Sequence, residues 1–434
     1  MSAQKPREIA ARVLLRREEG KEFVETLLEE ELSRSSMSSI DRALCTELVY
    51  GTVRRQSTLD WLIARKTKER PQKAGLMVLL RMGLYQLFWL GRIPDHAAVF
   101  ETVQVGRRMG FHSQAGFINA ILRAYSREKA QTDQLLEELK TRDPALGFSQ
   151  PEWLVQKWTE RYGPEKTREL LEWNNLPAYT YARVNTLKTD SARLEQLWQE
   201  EAVQFTPKQF DWVPEGLVYQ LDWHPPLSRM KSFQQGLFYI QDPSTLLSVR
   251  ELDPRPGETI LDFCAAPGGK ATFIAQQMQN RGQIIAQDID RKRLELIREN
   301  YIRLGITCIE TAIAPEEIET TASRRFDRIL IDAPCSNTGV LKRRLDLRWR
   351  IRPEEIERLR NTQLQLLRRA APRLKLGGIL VYSTCSLEPD ENREVVREFI
   401  AEQPQFELLK ERELLPFVEQ VDGAYVAVLK LSAA

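Results

Sequence analysis

Cysteine and histidine are scarce in this 434-residue chain, with five of the first and three of the second. The cysteines lie far apart, at Cys45, Cys264, Cys308, Cys335 and Cys385, and no CxxC pair occurs. An odd, scattered set excludes the disulfide framework of a small secreted protein, and so few histidines leave no structural zinc site. Thiols in a reducing compartment are expected, with a cytoplasmic location, and any cysteine that matters does so through its reactivity. Long apolar runs are also missing. The most apolar stretch, Gly75–Gly91, is interrupted by Arg81, whereas a membrane span needs about 20 apolar residues. No membrane segment is expected, and no secretory leader, because the N-terminus has no apolar core followed by a small-residue cleavage site. There is no repeat of fixed period, no low-complexity tract and no GxGxxG fingerprint.

What is present suits a globular protein of two or three domains: 42% of residues are hydrophobic and 29% charged. The net charge of +2 hides an asymmetry, since residues 1–130 hold 22 Lys and Arg against 15 Asp and Glu. A basic front suits contact with a polyanion, although solvated helices carry such an excess too.

Residues 1–130 read as an all-helical bundle. Ile9, Val13 and Leu14 form one apolar stripe, the segments 41–54, 74–90 and 97–109 behave alike, and Asp95 after Pro94 is a helix start signal. Residues 131–175 stay helical and acidic, and Trp153, Trp158 and Trp173 there are expected to pack rather than to stack on bases. Residues 176–235, a small α/β module, hold the β-type runs YTYARVN and LVYQL with one helix at 191–201, and the run LFYIQD begins just beyond at Leu237. From 236 to 434 short apolar strands (TILDFCA, QIIAQDI, DRILIDAP, GGILVYST) alternate with helices at about 268–279, 291–304, 353–374 and 390–402. That alternation predicts a mostly parallel sheet covered on both faces, with ligands at the carboxyl ends of its strands. Asp422-Gly423 before AYVAVLKL predicts a hairpin that closes the sheet with an antiparallel strand.

The first of those strands runs into FCAAPGGKA, residues 263–271. Gly268 and Gly269 permit close backbone approach to a ligand, and the following helix offers free N–H groups. A phosphate-gripping P-loop is excluded, because Cys264 stands where its first Gly would be and Ala271 follows the Lys. One strand later Asp288 stands at the carboxyl end, placed to accept from both hydroxyls of a ribose. Turn and carboxylate together indicate an adenosine-bearing cofactor, in a setting where a carboxylate also suits a sulfonium. Two cysteines lie just past strand ends, Cys335 in IDAPCSNTG and Cys385 in VYSTCSLEPDEN. A single cysteine is usually a small buried hydrophobe, but two at one sheet edge beside polar turns point to thiol chemistry. A helix starting near Pro389 would favour a thiolate at Cys385.

LDFCAAPGGK, DAPCSNTG and YSTCSLEPDEN, in this order and spacing, resemble the signature motifs of the RNA cytosine-5 methyltransferases of the Sun group. The helical front (DRALCTELVYGTVRRQSTLDWLI, then LLRMGLYQLFWLGRIPDHAAVFETV and GFINAILR) is similar to the antitermination factor NusB. The resemblance implies an all-α NusB-like RNA-binding bundle, a small α/β module and a C-terminal Rossmann-like class I methyltransferase domain. It implies S-adenosylmethionine as cofactor, held by Cys264, Ala265, Ala266, Pro267, Gly268, Gly269, Lys270, Asp288 and Asp332. It implies methylation of carbon 5 of an unpaired or flipped-out cytidine in 16S ribosomal RNA by a monomeric enzyme. The family gives covalent attack to Cys385, product release to Cys335, and contact with the base N3 to Asp332 and the backbone around Pro334. The residues alone leave the order of the two cysteines open, since DNA cytosine methyltransferases use a Pro-Cys nucleophile, which would be Cys335. Two departures stand out: the acidic residue that many relatives carry near the adenine is here Ala314, and Asn337 replaces a small residue.

The thiol is needed because carbon 5 of cytosine is a poor nucleophile; sulfur addition to carbon 6 makes carbon 5 electron-rich. The run KRRLDLRWRIR, residues 342–352, follows the DAPCS loop with six basic residues, one acid and Trp349. Lys342, Arg343, Arg344, Arg348 and Arg350 are therefore expected to contact RNA phosphates. Rival readings are an RNA-binding protein with a degenerate catalytic domain, a transfer-RNA cytosine-5 methyltransferase, and a dinucleotide-dependent oxidoreductase, the last weakened by the missing fingerprint.

Overall fold

The computed structural model describes residues 5–314 and 324–432. The chain divides into two compact units, one of residues 1–176 with 341–350, the other of residues 177–340 with 351–434.

The first unit is helical among its described residues. The predicted stripe of Ile9, Val13 and Leu14 is buried on helix Pro6–Glu19, and helix Asp95–Arg108 starts at Asp95 as its Pro-Asp signal indicates. Helix Ala74–Trp89 is buried along most of its length and forms the centre of the bundle. Gly83 lets a neighbour approach it closely, because a Cβ there would lie 2.7 Å from Leu122. Trp158 and Trp173 are buried, as packing residues should be.

Residues 341–350 belong to this unit, which corrects the reading of the basic run. Leu345 joins the helical core with Trp349 packed against it, and Arg348 between them is carried inward. Arg348 is fully buried and donates to Asn175 Oδ1 at 3.0 Å and to the carbonyls of Asn174, Leu341, Arg54 and Ser149. Burial, with Arg54 and Arg55 nearby, holds its pKa well below the usual arginine value. Lys342 is buried with its ammonium 3.4 Å from the centre of the Trp173 ring. Arg350 pairs with the buried Asp346 at 2.9 Å and donates to the carbonyls of Lys21 and Glu22. Lys342 and Arg348 are thus walled off from any phosphate, and Arg350 is committed to the fold. Arg343 is half-buried and Arg344 exposed. The apolar residues at 341, 345 and 349, four apart, were the overlooked signal.

The second unit holds two sheets. β1 (Thr180–Val184), β2 (Gln204–Phe210), β3 (Val213–Trp223) and β4 (Phe238–Ile240) form an antiparallel sheet in the order β2-β3-β1-β4. Helix Ser191–Glu200 covers it through Trp198, whose ring lies 5.3 Å from those of Phe205, Tyr219 and Phe238. Strand β2 was not predicted; its alternation is weak and Pro207 lies within it, which an edge strand tolerates.

The larger sheet has seven strands: β5 (Thr259–Phe263), β6 (Gln283–Asp288), β7 (Ile309–Ile313), β8 (Phe326–Asp332), β9 (Leu374–Thr384), β10 (Phe406–Leu414) and β11 (Ala424–Leu431). Their order is β10-β11-β9-β8-β5-β6-β7, with β5 to β9 parallel and β11 antiparallel to both neighbours. Both faces are covered, as the continuous apolar strands require. Ile260, Ile284, Leu330 and Val381 face one core, and Leu261, Ile285, Ile329 and Leu380 the other. Helix Arg291–Leu304 has its predicted bounds, because Asp290 caps Lys292 N–H at 2.8 Å and Gly305 ends it at φ +73°. β11 is antiparallel as predicted, but no tight Asp-Gly hairpin forms. Its partner β10 ends at Leu414, and a short helix, Pro416–Glu419, precedes Asp422-Gly423. β10 (FELLKEREL) escaped notice because an edge strand can be charged and mostly exposed.

Replacing Arg348 by Ala would leave its carbonyl and amide partners unpaired in a closed core. The variant is expected to destabilise the helical unit by about 2–4 kcal/mol, measured by urea unfolding, whereas Arg344→Ala should stay within about 0.5 kcal/mol of the parent.

Candidate active site

Five strand ends build the site. After β5 the chain turns sharply at Cys264, whose φ is +96°, and Cys264 and Ala265 N–H groups both donate to Gln287 O on β6, at 3.0 and 2.8 Å. A non-glycine residue so placed stores strain, a mark of functional turns. Gly268, at φ +100°, sits against Ile297, where a Cβ would lie 3.2 Å from it. Helix Gly269–Gln277 follows. At the end of β6 the buried Asp288 accepts from Ala266 N–H at Oδ2 and Asp290 N–H at Oδ1, each at 3.2 Å. After β7, Ala314 donates its N–H to Asp288 O at 3.0 Å, which ties its backbone to the end of β6.

Lys270 forms an ion pair with Asp332 at the end of β8, and Asp332 Oδ1 also accepts from Ser383 Oγ of β9 at 3.0 Å. One continuous set of contacts therefore joins the glycine turn to the two cysteine loops. Beneath it lies Asp262, fully buried with neither carboxylate oxygen hydrogen-bonded. Burial first, then the charges of Asp332 and Asp288 against that of Lys270, push its pKa up to about 7. Burial likewise pushes the Cys264 thiol up, with Asp332 and Asp288 adding to it, so this cysteine stays a neutral part of the turn.

Cys335 and Cys385 meet, with their sulfurs 3.2 Å apart. Cys335 is buried and Cys385 half-buried. Their shared hydrogen bond, then burial, hold the Cys335 thiol well above the ordinary range. The Cys385 thiol also donates to Asn337 Oδ1 at 3.0 Å, while Asn337 Nδ2 donates to Cys335 O at 2.6 Å. The helix dipole expected at Cys385 is absent: the α-helix begins at Arg393, and a 3-10 turn at Pro389–Glu391 precedes it. The nearest N–H groups are spent on hydroxyls, Ser386 on Thr384, Leu387 on Thr338 and Glu388 on Ser386.

Asn337, which the sequence marked only as a departure from the motif, bonds to the Cys385 thiol, and Ser336, Ser386, Gln363 and Glu391, which carry no sequence signal, form a bonded set behind the two cysteines. Asn337 had a readable signal, because asparagine tolerates its left-handed φ of +57° in a loop. Among the described residues no cluster of side chains is arranged to hold a metal ion, and no helix is long and apolar enough to cross a membrane.

The chain is 38% identical over 92% of its length to the "Probable ribosomal RNA small subunit methyltransferase B" of Bacillus subtilis, covering 89% of that protein. It is 36% identical to the ribosomal RNA small subunit methyltransferase B of Vibrio vulnificus, covering 92% of this chain and 93% of the relative. A crystal structure of a methyltransferase homolog from Pyrococcus horikoshii matches with 31% identity and a TM-score of 0.58, over 66% of this chain and 97% of that one. Glycine turn, strand-end carboxylate and seven-stranded sheet define a Rossmann-like methyltransferase domain, carried with a NusB-type helical domain. Family models agree: 16S rRNA methyltransferase RsmB/F over residues 249–430, NusB over 4–127, and the ferredoxin-like domain of RsmF/B-like methyltransferases over 150–221. The chain belongs to the ribosomal RNA small subunit methyltransferase B family.

Because the folded state raises the Asp262 pKa, the stability that this residue contributes is complete below about pH 4 and is lost as pH rises through about 7. Asp262→Asn should therefore gain stability relative to the parent as pH rises from about 4 to about 7, with no further gain above that range. Paired thermal melts across this range measure it, and a constant difference between the two proteins would show that Asp262 does not titrate there.

Proposed function

We propose that the chain transfers the methyl group of S-adenosylmethionine to carbon 5 of a cytidine in 16S ribosomal RNA, through a transient bond from Cys385 sulfur to carbon 6. The observation that carries the reading is the pair of sulfurs 3.2 Å apart, joined through Asp332 and Lys270 to the glycine turn. The residues present fit the cofactor: Cys264 to Lys270 form a strained turn open to close backbone approach, and Asp288 is a buried strand-end carboxylate suited to ribose hydroxyls. S-adenosylmethionine supplies an electrophilic methyl group.

The remaining chemistry falls to the protein. Cys385, the more exposed thiol, adds its sulfur to carbon 6 while its proton passes by way of Asp332 to N3 of the ring, which makes carbon 5 nucleophilic. Cys335, held protonated by burial and by Cys385, is suited to proton exchange rather than attack. Environment thus supports Cys385 as nucleophile and Cys335 in breakdown of the adduct, in which the carbon 5 proton is lost to solvent by exchange at Cys335, its bonding electrons restore the ring double bond, and the Cys385 sulfur leaves and regains a proton. Lys270 and Ser383 both contact Oδ1 of Asp332, which leaves Oδ2 for the N3 side of the base. The backbone at Pro334 is less available, since its carbonyl accepts from Gln363 Nε2 at 2.9 Å. A base stacked in an A-form duplex cannot present carbon 6 to a thiol, so the target is unpaired or flipped out. The 16S substrate is supported by the matching family model, 16S rRNA methyltransferase RsmB/F, and by relatives named for the small ribosomal subunit RNA.

Transfer of labelled methyl to purified small-subunit RNA, followed by digestion to nucleosides, should yield 5-methylcytidine at one position. Cys385→Ser is expected to abolish transfer, and Cys335→Ser to accumulate a denaturation-resistant protein–RNA adduct. An adduct formed by Cys385→Ser would reverse the two roles, and label in transfer RNA alone would replace the substrate.

A further inference from the structure

Strand pairing between β8 and β9 reaches as far as Asp332 opposite Ser383, and the last sheet-like bond is Ala333 N–H to Ser383 O at 2.8 Å. Both cysteines lie beyond that point, on loops that the ladder no longer holds. Their sulfurs nevertheless meet, so something else must set the gap. Direct bonds join the two loops in part: Gly339 N–H donates to Cys385 O at 2.9 Å, Leu387 N–H to Thr338 Oγ1 at 2.9 Å, and the Cys385 thiol to Asn337 Oδ1 at 3.0 Å. The residue that follows each cysteine adds a shared anchor behind the sulfurs. Ser336 and Ser386 both bond to one carboxylate, that of Glu391, which has no exposed surface.

Glu391 Oε1 accepts from Ser336 N–H at 2.8 Å and from Gln363 Nε2 at 3.2 Å; Oε2 accepts from Ser386 Oγ at 2.5 Å and from Ser336 Oγ. Its backbone is pinned as well, because Tyr382 donates its hydroxyl to Glu391 O at 2.6 Å. None of the described Lys or Arg side chains pairs with it. A buried carboxylate without a counter-ion is costly, and burial raises its pKa while the serine hydroxyls oppose the rise. An acceptor-only group is what this position needs, since four donors converge on two oxygens. An amide would turn one end into a donor facing the fixed Ser336 N–H or the hydroxyl pair.

We propose that Glu391 is a positioning residue that clamps the DAPCS and YSTCS loops together and so sets the separation of the Cys335 and Cys385 sulfurs. It touches no reacting atom. The clamp itself rests on geometry alone, and its bearing on turnover rests on the methyl-transfer reading above.

The sulfur gap can be read directly in the full-length protein. Diamide, a two-electron oxidant, removes two electrons and two protons from the thiol pair as the disulfide forms, and mass spectrometry of the digest counts the loss of two hydrogens. The parent should cross-link Cys335 to Cys385 rapidly. Glu391→Gln should do so at least about 10-fold more slowly, and its turnover at saturating substrates should fall by a similar factor, with S-adenosylmethionine affinity within about twofold. Ser386→Ala, a smaller change that removes one donor, should slow both by about threefold and serves where the Gln variant does not fold. A folded Glu391→Gln protein that cross-links at the parent rate overturns the proposal, whatever its turnover. Slowed cross-linking in the variant, with no methyl transfer even by the parent, keeps the clamp and removes the functional reading instead.

Discussion

Parallel pairing of β5 with β8 and of β8 with β9 is the constraint on which the site depends. It brings three strand ends side by side, so that residues some 60 and 110 positions apart in sequence open onto one edge. The Lys270–Asp332 ion pair and the Ser383 hydroxyl then tie those ends together. With one charge half-exposed, the pair avoids much of the desolvation that a fully buried one would incur. Asp262 beneath it does bear that penalty, and its proton affinity rises accordingly.

Burial, more than sequence motif, sorts the five thiols. Cys45 lies in the helical core and is pushed up to about 12, chiefly by burial; Cys308, on the edge of the α/β unit, is raised for the same reason. Cys264 is raised by burial and by the carboxylates around the turn. Cys335 is raised by its neighbour and by its own enclosure. Cys385 keeps some contact with solvent and a polar partner in Asn337, the setting that a reacting sulfur needs.

The segment 341–350 shows the opposite use of charge. Asp346, with no exposed surface, accepts from Arg17 Nε at 2.7 Å and from Val24 N–H at 3.1 Å, and Arg348 caps carbonyls from three separate parts of the helical unit. These are directional contacts inside a core, and they specify one placement of the segment where apolar packing alone would tolerate several.

Fold class and the motif residues were legible from local pattern. Apolar strands alternating with amphipathic helices can only form a covered parallel sheet, and a Gly-Gly turn or a strand-end Asp carries its geometry in its residue type. Asp290 and Gly305 even set the bounds of one helix. What stayed hidden depends on neighbours distant in the chain. The basic run read as a set of phosphate contacts because its charges outnumber its apolar residues, yet Lys342 and Arg348 are buried with Leu345 in a core that no local window reveals. Glu391 read as the start of a helix, since nothing near it in sequence shows that Ser336 and Gln363 converge on its side chain. Sequence determined the chemistry available, because residue type and strand periodicity are local properties. Tertiary structure decided which charges face water and which two sulfurs meet, because burial and hydrogen-bond partners come from chain segments that only folding brings together.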